Sequence, residues 1–175
     1  MKKTDRREDI VFGGGCFWCV EAAFSMIEGV VSATPGYTGG TTSAPTYDVV
    51  CGGSSGHAEV VRVEFDPSRV TLEELLEVFF TIHDPTSLNR QGADVGTQYR
   101  SIILYASEEQ RARVESFLEE IGPRYDKPVI TELKELETFW PAEDYHRDYY
   151  ASNPHQPYCR VVIAPKLAKL REKLA

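Results

Sequence analysis

The sequence predicts an α+β fold, a two-layer sandwich built on a mixed sheet of the ferredoxin-like (split βαβ) type with its helices on one face. Two observations support this prediction. The 175 residues, 42% hydrophobic and 26% charged, suit one globular domain with a substantial core. Segments with strand and helix periodicity follow in the order β-α-β, β-α-β, α-β. We expect a single domain over 1–175, with a solvated lead-in at 1–8, additional helices and a long irregular C-terminal segment at 152–175.

Each predicted element has a local signal. The apolar run 9–12 ends in glycines and predicts a strand, and apolar residues at helical spacing predict a helix over 16–28, before Gly29. Further strands are predicted at 30–34, 57–65, 99–105 and 128–136. Further helices are predicted at 46–50 (one turn), 71–83 (from a Thr71–Glu74 capping box), 107–121, 139–150 and 167–174. The Gly- and Pro-rich run 35–45 and the polar run 86–98 are predicted as loops.

The strand 57–65 places a carboxylate on an apolar face. By period-2 alternation, Glu59 shares one face with Val61, Val63 and Phe65. A glutamate at a strand end usually reaches water, since this residue type is rarely buried without a partner. If that face is buried, desolvation keeps the carboxyl protonated near neutral pH.

The charge balance narrows the class of protein. A net charge of −8 argues against binding to nucleic acid or to anionic membranes, because the chain has no excess of basic residues to bind phosphate groups. No stretch approaches the ~20 apolar residues of a membrane span, and the charged start lacks an apolar signal core. We therefore expect a cytoplasmic protein, whose four cysteines serve redox chemistry or metal binding rather than a disulfide scaffold.

The most informative stretch is Gly-Gly-Gly-Cys-Phe-Trp-Cys at 13–19. It places Cys16 at the start of a helix, where unpaired backbone N–H groups and the helix dipole stabilise a thiolate. Cys19 completes a C-x-x-C pair, the spacing of thioredoxin-like oxidoreductases. Three other interpretations remain: a buried structural cysteine, a zinc site that lacks a well-spaced second pair, and a Cys–His hydrolase.

Several collinear motifs resemble those of the A-type peptide methionine sulfoxide reductases. The resemblance extends over nearly the whole chain, from about Ile10 to Cys159. The motifs are Gly15-Cys16-Phe17-Trp18 followed by Glu21, Gly36-Tyr37-Thr38-Gly39-Gly40, Pro45-Thr46-Tyr47, Gly56-His57-Ala58-Glu59, His83-Asp84-Pro85, Arg90-Gln91-Gly92 and Asp94 to Arg100.

This resemblance implies a role for each matching residue. Cys16 would attack the sulfoxide sulfur, and Glu59 would donate a proton to the sulfoxide oxygen. Phe17 and Trp18, expected at the solvent-facing end of the helix, would hold the ε-methyl group of the substrate. Tyr47 and Tyr99 would supply further O–H donors to the oxygen, Asp94 would organise water or Cys16, and His57 would be an orienting neighbour.

The implied reaction leaves Cys16 as a sulfenic acid, which a second thiol converts to a disulfide. Cys159, in a Pro-rich tail able to swing over the site, is the favoured resolving cysteine, with Cys19 as the alternative. Cys51 is interpreted as structural. Many relatives carry a further C-terminal cysteine, which this chain lacks beyond Cys159.

The resemblance also implies the partners. The substrate would be methionine S-sulfoxide, in peptides, in proteins or free, and thioredoxin or a similar dithiol would reduce the disulfide. Neither a metal nor an organic cofactor is required, and we expect a monomer, although the sequence leaves the oligomeric state and the preferred substrate open. The chief rival is a thiol–disulfide oxidoreductase that uses Cys16 and Cys19 directly, and the second is a non-catalytic thiol or zinc module.

Overall fold

The computed structural model describes residues 6–174, so most of the expected lead-in at 1–8 and the last residue lie outside the described residues. The strands are β1 (Glu8–Gly13), β2 (Val30–Thr38), β3 (Ala58–Phe65), β4 (Arg90–Gln91), β5 (Asp94–Val95), β6 (Ile102–Tyr105), β7 (Glu132–Glu135) and β8 (Trp140–Pro141). The helices are α1 (Phe17–Ser25), α2 (Tyr47–Cys51), α3 (Leu72–Ile82), α4 (Glu108–Ile121), α5 (Tyr149–Ser152) and α6 (Ala164–Leu174).

Six of these strands form one mixed sheet in the order β7-β6-β1-β3-β2-β8. Its neighbouring strands are antiparallel except for β6 and β7, which are parallel. The strands β4 and β5 pair separately as a small hairpin. The predicted α+β class with a mixed sheet and added helices is therefore confirmed.

The main core lies between the sheet and the helices. Alternate residues of β1 and β3 enter it, namely Ile10 and Phe12 from β1 and Val61, Val63 and Phe65 from β3. Helix α3 contributes a stripe of leucine and phenylalanine and packs against α1, α4 and α6. Fully burying one such side chain stabilises the fold by about 2 kcal/mol, so this layer holds the helices on the sheet.

The reverse face of the sheet carries a smaller apolar cluster. Its buried members are Val11, Ala58, Val60, Ile102 and Leu104. Leu136 and Phe139, from the segment between β7 and β8, pack on this cluster. The same segment therefore covers one face of the sheet before the chain crosses to the end of the sheet that carries Cys16.

Strand β2 is longer than predicted, because it continues through Pro35 and Gly36 into the run expected to be a loop. Pro35 pairs opposite Val61, and its carbonyl accepts the backbone N–H of Ala142 at 2.9 Å. At Gly36 a Cβ atom would overlap Phe139, so only glycine lets this segment lie against the strand. The composition of 35–38 suits a loop, but contacts with distant residues make it a strand.

Two other segments also differ from the prediction. The run 86–98 contains the hairpin of β4 and β5 in place of a simple loop, and the strand predicted at 99–105 begins only at Ile102. The segment 139–150, predicted as one helix, contains β8, a 3-10 turn at Asp144–His146 and the start of α5. The strand predicted at 128–136 is confined to β7, Glu132–Glu135.

The C-terminal segment is more regular than predicted. A π-helical turn, Cys159–Ile163, leads directly into α6, and the backbone N–H of Ala164 bonds to the carbonyl of Cys159. Of the leucines predicted to line the terminal helix, Leu167 and Leu170 are buried, whereas Leu174 is 56% exposed. Irregular backbone is thus limited to the few residues between α5 and this turn.

Candidate active site

Cys16 is the N-cap of α1, at the predicted position between glycines and helix. The glycines let the chain turn in a crowded place: a Cβ atom on Gly14 would lie 2.8 Å from the ring of His83, and Gly15 has a φ of +85°. Left-handed backbone of this kind favours glycine. The local sequence therefore fixes both the end of β1 and the place of the cysteine.

The thiol of Cys16 is buried, with only 7% of the residue exposed. Burial raises the pKa of Cys16 well above its ordinary value, and the negative charge of Glu59 raises it further. The backbone N–H of Trp18 at the helix start lowers it, but less. The predicted stabilisation of a thiolate is therefore present but outweighed by desolvation, and the resting group at neutral pH is a thiol.

Glu59 lies on β3, 1% exposed, so the predicted apolar face does enclose the carboxyl. Its Oε1 accepts the backbone N–H of Phe17 at 3.2 Å. Its Oε2 is buried without a hydrogen-bond partner in the described residues. Burial raises the pKa of Glu59 to about 8, against the opposing effect of the Phe17 N–H. At neutral pH the carboxyl is protonated, and the free Oε2 is the oxygen that can carry the proton.

Tyr47 and Tyr99 approach this centre from two other elements. Tyr47 begins α2, and its backbone N–H bonds to Oε2 of Glu143 at 3.0 Å. The carbonyl of Tyr99 accepts the backbone N–H of Gly15 at 3.1 Å. Burial first, and the charge of Glu59 second, raise the pKa of both phenols. Both hydroxyls therefore stay protonated and can donate.

Asp94 lies on β5, in the hairpin that faces the end of β1. Its Oδ2 accepts the hydroxyl of Tyr158 at 2.6 Å. Its negative charge raises the pKa of Cys16 and of Glu59, so the three groups share one electrostatic environment. The structure thus brings the predicted residues Cys16, Glu59, Tyr47, Tyr99 and Asp94 to one end of the sheet.

The two aromatic residues after Cys16 differ in exposure. Phe17 is fully buried, contrary to the expectation that both would meet solvent, because its ring packs against His146 (centroids 4.9 Å apart) and Tyr37 (5.7 Å). Trp18 is half-buried, so it alone of the pair offers part of its surface to a ligand.

Residues 146–158 supply partners that the sequence reasoning missed. His146 accepts the indole N–H of Trp18 at its Nδ1, at 2.9 Å, and its Nε2 is buried without a partner in the part of the chain described. Tyr149 stacks on Trp18, with ring centroids 3.7 Å apart and planes 9° from parallel. Tyr158 meets the edge of Trp18 at 6.0 Å. In the sequence, the signal that could have identified these partners of Trp18 is the density of aromatic residues in this segment.

The four cysteines are free thiols. Cys19 is 1% exposed, one helical turn after Cys16, and its backbone N–H bonds to the carbonyl of Cys16 at 3.1 Å. Cys159 is 0% exposed and packs in the main core, within a π-helical turn, so the prediction of irregular backbone is wrong at Cys159. The ability of the segment to swing over the site stays a prediction. Cys51, interpreted as structural, is exposed at the end of α2.

His57 and His83, two of the four histidines that a Cys–His hydrolase could use as its base, have other partners. His57 accepts the backbone N–H of Gly40 at 3.1 Å, and its Nε2 lies 2.6 Å from the carbonyl of Thr42, so it orients that loop. His83 is bonded through both ring nitrogens, to the Phe79 carbonyl and to Ser101, and burial lowers its pKa to about 4. These contacts disfavour His57 and His83 as the base of a Cys–His hydrolase.

Within 6–174, no group of three or more His, Cys, Asp or Glu side chains is placed to hold a metal ion. Over the same range, no helix is long and apolar enough to cross a membrane.

Comparisons with known proteins identify the family of the chain. A family model described as peptide methionine sulfoxide reductase matches residues 8–175. The chain is 54% identical over 165 residues to the peptide methionine sulfoxide reductase MsrA of Haloquadratum walsbyi, covering 94% of this chain and 95% of that one. It is 56% identical over 162 residues to the MsrA of Saccharolobus solfataricus, covering 93% and 92%.

Solved structures show the same fold. Methionine sulfoxide reductase A of Corynebacterium diphtheriae is 36% identical with a TM-score of 0.82, covering 88% of this chain and 78% of that one. Reduced Mxr1 from Saccharomyces cerevisiae is 34% identical with a TM-score of 0.84, covering 91% and 92%. Mxr1 in complex with Trx2 is 23% identical over the aligned residues with a TM-score of 0.58, covering 85% and 88%.

Together the fold, the buried cysteine and these comparisons define an oxidoreductase of the α+β class. More narrowly, the chain belongs to the peptide methionine sulfoxide reductase family.

Proposed function

We propose that this protein reduces the S-sulfoxide of methionine, in peptides and proteins and as the free amino acid, as a repair of oxidative damage. One observation carries the proposal: the buried carboxyl of Glu59 accepts the backbone N–H of Phe17, next to Cys16, its other oxygen has no partner in the described chain, and its charge raises the pKa of the Cys16 thiol. A protonated carboxyl beside a thiol is what removal of an oxygen from sulfur requires.

In the proposed first step, the sulfur of Cys16 attacks the sulfoxide sulfur while Glu59 donates its proton to the sulfoxide oxygen. The hydroxyls of Tyr47 and Tyr99 donate hydrogen bonds to the same oxygen. The thiol proton of Cys16 returns to Glu59. The oxygen ends on Cys16 as a sulfenic acid, and methionine leaves, so the substrate sulfur is reduced and the cysteine sulfur is oxidised by two electrons.

The substrate methyl group is proposed to lie against the aromatic residues that follow Cys16. The half-buried Trp18 supplies the accessible surface, whereas the buried Phe17 supports it from behind. Apolar rings suit a methyl group and a soft sulfur atom. Asp94 is proposed to organise the site through its bond to Tyr158.

The sulfenic acid is then proposed to condense with Cys159, which forms a disulfide and releases water. Cys159 is buried in the π-helical turn, and we propose that this turn unwinds to bring the two sulfur atoms together. Single π-helical turns are frequent at functional sites and interrupt the regular helix ladder, which supports this step. Cys19 remains the alternative resolving thiol, at the cost of distorting α1.

The reductant is proposed to be thioredoxin or a similar dithiol. Its two thiols reduce the disulfide by exchange and become a disulfide themselves, so the electrons balance. The solved complex of Mxr1 with Trx2 supports a donor of this kind.

The same reasoning extends to the architecture. We propose that β1, α1, β2, β3, α3 and β6 form a ferredoxin-like unit, given the strand order β6-β1-β3-β2 and its antiparallel pairs. We also propose that residues 1–175 form one catalytic domain that works as a monomer, because one chain supplies the whole site.

Incubation with a racemic methionine sulfoxide peptide and dithiothreitol, followed by separation of the remaining epimers, tests the proposal. We expect the S-epimer to be consumed and the R-epimer to remain. Cys16→Ser should produce no methionine even in a single turnover, and appreciable methionine from this variant would refute the assignment. Reduction of a disulfide substrate without loss of sulfoxide would support the rival thiol–disulfide oxidoreductase.

A further inference from the structure

The indole ring of Trp18 is held by one short segment of chain, residues 146–149. Its N–H bonds to His146 at 2.9 Å, and one face is covered by the ring of Tyr149 at 3.7 Å. The hydrogen bond fixes the rotation of the indole in its own plane, and the stack fixes the plane itself. The orientation of Trp18 therefore depends on where the backbone of this segment lies.

Glu21 contacts the middle of the same segment from α1. It lies three residues after Trp18, on the next turn of the helix, and is 2% exposed. Its Oε2 accepts the backbone N–H of Asp148 at 3.1 Å. The carboxyl thus joins the helix that carries Trp18 to the backbone between the two residues that hold the indole ring.

The backbone at this point needs an anchor. Asp148 has a φ of +51°, which is unfavourable for a residue other than glycine, and it forms the N-cap of the four-residue helix α5. So short a helix is not stable by itself. A buried acceptor on the N–H of Asp148 holds the strained turn and places Tyr149 on the indole.

Burying this carboxyl is unfavourable in itself. Desolvation raises the pKa of Glu21 to about 7, although the backbone N–H of Asp148 and the charge of Arg147 oppose the shift. The negative charge of Asp148 raises the pKa of Glu21 further. An apolar side chain would avoid this penalty but would leave the N–H of Asp148 without an acceptor, which points to a role beyond packing.

We propose that Glu21 is a positioning residue for substrate binding, which holds the turn at Asp148 so that Tyr149 and His146 fix Trp18 in the orientation that receives the substrate methyl group. Glu21 does not touch the reacting atoms. The proposal rests on the proposed function only in assigning the methyl contact to Trp18; the anchoring of the ring is independent of it.

The test compares Glu21→Leu, which removes the acceptor, with Glu21→Gln, which keeps a carbonyl oxygen for the N–H. We expect Glu21→Leu to raise KM for a methionine S-sulfoxide peptide about five- to tenfold, as loss of one hydrogen bond allows, with kcat within twofold. Glu21→Gln should have a KM close to that of the wild type. Glu28→Gln, at an exposed glutamate paired with Arg69, is the matched control and should change neither constant.

The second readout does not need activity. Because Trp18 and Trp140 are the only tryptophans of the chain, Trp140→Phe provides a background in which fluorescence reports on Trp18 alone. In that background Glu21→Leu should shift the emission of Trp18 as the stack loosens, whereas Glu21→Gln should not. If the wild-type protein reduces no sulfoxide, the proposed function fails while this measurement still tests the anchor.

Tyr149→Ala provides a second test of the proposal in case the Glu21→Leu variant does not fold. It removes the stack directly, so it should reproduce the rise in KM, and combining it with Glu21→Leu should add little. Unchanged KM and emission in either single variant would overturn the proposal. A change in emission with an unchanged KM would overturn the role in substrate binding.

Discussion

The hydroxyl of Tyr158 donates a 2.6 Å hydrogen bond to Oδ2 of Asp94. This bond joins the residue before Cys159 to the β4–β5 hairpin beside Cys16. The site and the proposed resolving segment are therefore in direct contact before any oxidation takes place. The first prediction concerns this contact.

Tyr158→Phe should speed formation of the disulfide between Cys16 and Cys159, because the turn that buries Cys159 loses a hydrogen bond to a charged group. One such bond is worth about 1.5 kcal/mol or more, so the expected acceleration is about tenfold. Quenched single-turnover samples, digested and mapped by mass spectrometry, give the rate. Tyr150→Phe, on α5, is the control. A slower rate would mean that the bond guides the segment towards Cys16.

Cys159→Ser should complete one turnover, yielding one methionine per enzyme, but should lose cycling driven by thioredoxin. The physical reason is that the sulfenic acid on Cys16 then has no thiol to condense with once the turn unwinds. Steady-state oxidation of NADPH with thioredoxin and its reductase measures the loss. Cys19→Ser, also buried, is the matched control and should keep cycling. The opposite result for the two variants would transfer the role to Cys19.

The sulfoxide reduction step should depend on pH through Glu59. As proton donor the carboxyl has to be protonated, and its pKa is raised to about 8, so the single-turnover rate should be flat below pH 7 and fall above pH 8. Glu59→Gln keeps the oxygen that accepts the Phe17 N–H but cannot donate a carboxyl proton. We expect this variant to be slower by on the order of 10²-fold and to lose the inflection. An unchanged profile would remove Glu59 as the donor.

Glu59→Gln should also change how stability depends on pH. The folded-state pKa of about 8 lies above the ordinary value of 4.5, so the folded state binds the proton more tightly, and stability is lost as pH rises between these values. The full loss of unfolding free energy is about 5 kcal/mol. Glu59→Gln should therefore be more stable than the wild type at pH 8.5 and similar to it at pH 4.5. Urea unfolding of both proteins at pH 4.5 and pH 8.5 measures this. If the difference in unfolding free energy between Glu59→Gln and the wild type were the same at both pH values, the raised pKa of Glu59 would be contradicted.

The features of the fold that could be predicted from the sequence are those set by residues close together in the chain. The side chain of Thr71 accepts the backbone N–H of Glu74, which is one half of the predicted capping box, and the side chain of Ser107 accepts the backbone N–H of Gln110 in the same way. The alternation along β3 correctly placed Glu59 on the core side. These features depend on spacing of a few residues, which the sequence displays directly.

The features that could not be predicted are those set by contacts between residues far apart in the chain. Pro35 and Gly36 belong to a strand only because β3 and β8 lie on either side of them. The burial of Phe17 depends on His146, which lies far along the chain, and the order around Cys159 depends on packing of α6 against α1 and α3. No local pattern of residues encodes such contacts.

The burial of Cys16 has a consequence for survival under oxidative stress. A thiol with a raised pKa reacts slowly with peroxide and with alkylating agents, since the thiolate is the reactive form. We expect iodoacetamide at pH 7 to label the exposed Cys51 well before Cys16, as peptide mapping would show. Under the proposed function, the protein would tolerate the oxidants whose damage it is proposed to repair, because the thiol of Cys16 reacts slowly until the substrate binds.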